Sequence, residues 1–137
     1  MTKMRTLDDH KVNPANDVLT VTVLDEPGSG SASHLYKITG FNSATNASDP
    51  WVATHGQPAV HAHVLFQNGP IAEVGVNGVT HEALLAILCD RMRSFQSGPY
   101  SSADNAEALA HMEQAQTALQ RRTRARMARG VEGTHAV

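Results

Sequence analysis

Hydrophobic positions recur with two different periods along the chain, and the change of period divides it. From Asp17 to Asp25 the sequence DVLTVTVLD alternates Val and Leu with Thr, the two-residue repeat of a half-buried strand rich in β-branched side chains. PGSGSAS then supplies a flexible turn, and HLYKITGF (His34 to Phe41) alternates again, as an antiparallel partner would. AVHAHVLFQ (Ala59 to Gln67) and IAEVGV (Ile71 to Val76), separated by Asn68-Gly69-Pro70, are expected as third and fourth strands. The polar, aperiodic stretch NSATNASDPWVATHGQP leaves a long loop at 42–58, of a size that is often functional. Residues 1–15 show no sustained pattern and are expected to be flexible.

Beyond Asn77-Gly78 the spacing becomes helical. Leu84, Leu85, Leu88, Met92 and Phe95 recur at three- and four-residue steps and predict one apolar stripe. Thr80 is a candidate N-cap, with Glu82 placed favourably against the helix dipole, and the helix is expected to end near Gln96. Ser97-Gly98-Pro99 stops it, and Ser101 or Ser102 caps a second helix expected over 102–128. That helix would be roughly 40 Å long at about 1.5 Å per residue, yet before its last turn its large apolar residues are only Leu109, Met112 and Leu119, with Met127 near its end. Part of it is therefore expected to face another subunit. The fold class predicted is α+β in a single domain: an antiparallel sheet over 17–76, a helical hairpin over 80–128 and a tail at 129–137.

A chain of 137 residues with 41% hydrophobic but 4% aromatic residues buries a modest core and gains from oligomerising. Cys89 is the one cysteine, so no intramolecular disulfide is possible, and its apolar neighbours predict a packed small side chain. No apolar run approaches the roughly 18 residues of a membrane span and the first residues lack a signal-peptide core, which predicts a soluble cytosolic protein. With 11 Lys and Arg against 13 Asp and Glu, the formal net charge of −2 argues against a general nucleic-acid or membrane-surface binder. The average hides a local cluster. Arg121, Arg122, Arg124, Arg126 and Arg129 fall within nine residues, and nothing acidic lies between Ala118 and Val131 to pair with them along the helix. Such a cluster suits a small anionic ligand, although arginine is also a good helix former and favourable at a helix C-terminus.

Phe95 and Tyr100 bracket the turn between the helices, where an aromatic ring beside Gln96 and Asn105 would make one face of a base-stacking slot. His61 and His63, two residues apart on a strand, point to one face, but no third ligand is spaced to complete a metal site. No histidine has Ser or Thr two positions on, as a two-histidine phosphodiesterase would need, and the P-loop, G-x-S-x-G and G-x-G-x-x-G motifs are missing. Weight moves to a binding protein without metal or cofactor.

The run FQNGPIAEVGVNGVTHEALLAILCDRMRSFQSGPYSSADNAEALAHMEQAQTALQRRTRARMARGVEGTH, about residues 64 to 137, resembles the core of the phage Thoeris anti-defence family, specifically its first-described type. The phrases that carry the likeness are NGPIAEVGVNG, FQSGPY with the Asn105 that follows, and RARMARGVEGTH. The resemblance implies an antiparallel sheet with two helices, dimers that build hexamers in some members, and a sponge: a protein that captures cyclic ADP-ribose isomers made by TIR-domain enzymes and holds them uncleaved in the cytoplasm of the infected host. Some members also bind cyclic oligonucleotides at separate pockets, which would extend the effect from Thoeris to CBASS-type effectors. It further implies Phe95 for stacking on adenine, Asn105 for polar contacts and Arg122 for stacking or phosphate contact; Gln96, Arg121 and Arg126 are added on their chemistry. Where the family phrase reads Cys-Arg-Glu-Asn this chain has Ser-Ala-Asp-Asn, removing one arginine. Asn105 and Arg122 lie 17 positions apart, about 25 Å along one helix, so a ligand touching both is expected to sit between two subunits. The competing readings are an enzyme that opens the cyclic signal with His81 or His111, and a small nucleic-acid-binding regulator.

Overall fold

The computed structural model describes residues 4–136. The chain forms two compact units, Met1–Asn68 and Gly69–Val137, where one domain was expected. The class is α+β: a four-stranded antiparallel sheet precedes the helices, the last of which is long.

The first unit is a meander of β1 (Arg5–Leu7), β2 (Thr20–Val23), β3 (Leu35–Thr39) and β4 (His61–Leu65), each strand beside the next. Register sets the two faces. Val23 pairs with Tyr36 and Tyr36 with Val64, while Thr22 pairs with Lys37 and Lys37 with His63. One face is thus apolar and the other carries Thr, Lys and His, as a two-residue repeat requires. Val23 is only 1% exposed, and Tyr36 meets Phe66 edge-on at 5.7 Å.

Side chains fix the connections. Between β2 and β3 the Asp25 carboxylate accepts the backbone N–H groups of His34 and Leu35 at 2.9–3.0 Å, and the Leu35 bond above all holds its pKa below the ordinary 3.8. Ahead of β4, the buried Ser43 donates to Asp49 and accepts from the Ala59 N–H at 2.7 Å. Asp49, held below 3.8 chiefly by that hydroxyl, caps the short helix α2 (Pro50–His55). Gly40 has φ +99, and a Cβ there would overlap the Val18 carbonyl oxygen, so no other residue fits.

Three sequence expectations are corrected. Residues 1–15 contain β1 and the start of the short helix α1 (Pro14–Asp17), because three residues of any pattern pair once β2 offers an edge. The loop at 42–58 contains α2, with Pro50 at its first position and Gly56 at its left-handed cap. The fourth strand is absent: Ile71–Val74 form a short helix, α3, whose Glu73 and Val74 N–H groups return to the Pro70 carbonyl before Gly75, at φ +74, ends it.

The second unit is a hairpin of α4 (His81–Gln96) and α5 (Ala103–Ala128), with boundaries within a residue of those read from the sequence. Thr80 caps α4 through the Ala83 N–H at 3.1 Å, and Ser102 caps α5 through the Asn105 N–H at 3.0 Å. The helices pack along their length, tied by Arg93 to Glu113 at 3.0 Å and by the Gln116 amide to the Glu82 carbonyl at 2.9 Å. Since Glu82 lies opposite Gln116, the last dozen residues of α5 run past the start of α4, and the arginines are on that overhang.

The single stripe expected on α4 is two. At about 100° per residue, Leu85, Cys89 and Met92 lie on one line, and Leu84, Leu88 and Phe95 on another about 100° away. The first line holds the buried Cys89, 2% exposed, and packs the hairpin against the half-buried Leu109, Met112 and Leu119 of α5. The second, with Ile87 and Leu88, faces outward.

Candidate functional site

The outward line of α4 ends at the hairpin turn, where a pocket of 390 Å³ opens to solvent. That volume lies in the range of small-molecule sites, about 300–1,000 Å³. Its floor comes from the last turns of α4, with Asp90, Arg91, Ser94 and Phe95, and its wall from Gly98, Pro99 and Tyr100. Phe95 is 41% exposed and Tyr100 74%, so both rings are available to a ligand. The Arg91 guanidinium lies 5.8 Å from the Phe95 ring centroid, one helical turn before it. The pocket therefore offers an aromatic face, a guanidinium and a carboxylate within about one and a half turns of helix.

Side-chain hydrogen bonds hold the turn. Gln96 spans it with both ends of its amide: Nε2 donates to the Ser102 carbonyl at 3.1 Å and Oε1 accepts the Ser102 N–H at 3.0 Å. Asn105 adds a long bond from Nδ2 to the Tyr100 carbonyl, 3.5 Å, and is half-buried at the first turn of α5. Of the residues singled out in the sequence, Phe95, Gln96 and Asn105 are thus brought together at one end of the hairpin. Phe95 lines the pocket, Asn105 stands beside Tyr100, and Gln96 is committed to the clasp.

The arginines are at the other end. Arg121, Arg122 and Arg124 are exposed, and among the described residues none of the three has a hydrogen-bond or ion-pair partner. Arg126 has no acidic partner along the helix, as its sequence neighbours predict, but finds one beyond the helix end. Its Nε donates to Glu132 at 3.1 Å, and its remaining nitrogens donate to the carbonyls of Val131, Thr134 and Ala136. The acidic partner lies six residues ahead, beyond the helix end, where an i,i+4 count along the helix does not look. Arg126 therefore folds the tail, which also reaches α3 through the Ala72 N–H on the Gly133 carbonyl at 3.1 Å and through His135 and Glu73 at 3.5 Å.

Arg91 and Asp90 are the site residues that sequence reasoning passed over. The signal was present, since Arg91 precedes Phe95 by four positions.

Residues 58–124 match the family described as Acb2/Tad1, hairpin domain. This hairpin is similar to that of the phage Thoeris anti-defence family. A protein of Bacillus phage SBSphiJ7 named Thoeris anti-defense 1 is 45% identical over 74 residues, 54% of this chain and 52% of that protein. The chain thus spans about half the length of the curated relative it matches. The family match covers β4, α3, α4, the pocket and α5 up to Arg124, so the matched stretch contains both the aromatic end and the first arginines. Among the described residues no helix is long and apolar enough to cross a membrane.

Proposed function

We propose that this protein is a phage anti-defence sponge, which binds cyclic nucleotide immune signals, cyclic ADP-ribose isomers in the first place, and holds them uncleaved in the cytoplasm of the infected host. The observation that carries the reading is the pocket at the turn of an Acb2/Tad1 hairpin, where Phe95 and Tyr100 offer stacking surfaces and Arg91 a charge. A nucleobase stacks on an exposed ring, and a guanidinium donates charge-assisted bonds to a phosphate. Neither His81 nor His111 lines the pocket, which favours holding a ligand over cutting it. Sequestration then works by mass action, since bound signal is unavailable to an effector.

One chain does not complete the site. Arg122 stands about 25 Å along α5 from Asn105 and is exposed without a partner among the described residues. The outward apolar line of α4, with Ile87 and Leu88, and the thinly apolar α5 favour a two-fold dimer in which Arg122 of one copy closes the pocket formed by Phe95 and Asn105 of the other.

The test is thermal denaturation of the purified protein with cyclic ADP-ribose isomers and with cyclic di- and trinucleotides, followed by chromatography of the ligand released from the denatured complex. Stabilisation by one class and recovery of intact ligand are expected. Recovery of opened ligand, or turnover at substoichiometric protein, would replace the sponge by an enzyme. No stabilisation by any of them would remove the reading.

A further inference from the structure

His61 and His63 lie outside the hairpin and have no part in the proposed sponge. Both are exposed on β4, the last strand of the sheet, and alternate positions put them on one face. Their ring centroids are 5.0 Å apart with planes at 74°. That separation has a chemical meaning. An imidazole nitrogen binds a borderline divalent ion at about 2.0–2.1 Å, which puts each ring centre about 3.2 Å from the metal; two such rings at coordination angles of 90–109° stand about 4.5–5.2 Å apart. The axis of χ2 passes close to the ring centre, and this torsion is broad, so each exposed ring can turn to aim a nitrogen at a shared point without changing the separation.

We propose that His61 and His63 form a bidentate surface site for a borderline divalent transition-metal ion of the Zn²⁺, Ni²⁺ or Cu²⁺ kind. Imidazole is the ligand type those ions favour. Among the described residues no group of three His, Cys, Asp or Glu side chains is placed to hold a metal, so the remaining coordination positions go to water. The site is accordingly an open chelate rather than a closed structural centre. Lys37 pairs with His63 across the sheet and Thr39 with His61. The ammonium of Lys37 opposes a bound cation through Coulomb repulsion, which sets the affinity below that of the bare histidine pair.

The test is calorimetric titration of the full, tag-free chain with NiCl₂, CuCl₂ and ZnCl₂ at neutral pH and low salt. One ion per chain is expected for at least one metal. His61→Gln and His63→Gln should each weaken that binding by about tenfold or more, because each leaves a single imidazole without its chelate partner. Lys37→Gln should tighten it several-fold, a response that metal held elsewhere on the chain would not show. His111→Gln and His135→Gln should leave it unchanged, and circular dichroism confirms that each variant is folded. No bound ion, or binding that survives both sheet substitutions, would overturn the site, as would loss in either control variant.

Discussion

Phe95 sits where the hairpin packing ends and the open pocket begins, and its half-exposed ring makes it informative. Phe95→Ala removes a stacking face without opening a core cavity, so ligand affinity should fall roughly 10- to 100-fold while the melting temperature of the free protein changes little. Titration of both forms with the stabilising ligand checks this, and a melting temperature that collapsed with the affinity would return Phe95 to the packing. Asp25 and Asp49 have a different part, since both hold connections of the sheet as carboxylates below their ordinary 3.8. A depressed folded-state pKa contributes stability that is complete above the unfolded value and disappears as pH falls through the folded one. Melting temperatures followed from about pH 5 down to about pH 2 should therefore drop steeply, and Asp49→Asn should be less stable near neutrality but show a shallower drop. Arg126 is a third case. Its guanidinium gathers Glu132 and three tail carbonyls, so Arg126→Ala should free the tail and speed hydrogen exchange at the Ala72 N–H, which bonds to Gly133, by about tenfold or more.

At the scale of elements, legibility in the sequence followed the strength of the local code. Strands β2 to β4 and the two long helices announce themselves because burial of one face imposes a period, and their caps, Thr80 and Ser102, are polar residues with few alternative uses. The failures have physical causes. In IAEVGV, Val74 and Val76 alternate as in a strand while Ile71 and Val74 keep the three-residue step of a helix, and Gly75, read as part of the strand, instead ends the helix. Strand β1 is three residues whose only support is its ladder to β2, a contact no local pattern encodes. The two lines on α4 were merged because spacings of three and four alone do not separate lines about 100° apart. Gly40 is a position where the element fails without its residue: Gly40→Ala should cost about 3 kcal/mol or more in a denaturant titration, since it forces both a strained φ and movement of the Val18 carbonyl.

The hairpin sets Asn105 and Arg122 about 25 Å apart along one helix, with the aromatic pocket beside the first and, beside the second, Arg121 and Arg124, which like Arg122 have no partner among the described residues. If copies complete one another, two defective variants should rescue each other. Phe95→Ala and Arg122→Ala alone should both lose binding, but equal mixing after unfolding and refolding should restore about a quarter of the pockets, because half the dimers are mixed and each of those carries one intact pocket. Calorimetric stoichiometry measures it, and no recovery would place both residues in a site made by one chain. The fold class and the placing of Phe95 and Tyr100 at the turn between the helices were legible in the sequence; the commitment of Gln96 and Arg126 to internal bonds was not, because each partner lies across a turn. The two lines on α4 have one more consequence. Packing against α5 depends on Leu85, Cys89 and Met92, while the pocket draws on Asp90, Arg91, Phe95 and Tyr100, so the two sets of side chains can mutate independently. The lining of the pocket can therefore be rebuilt, substitution by substitution, without passing through an unfolded ancestor.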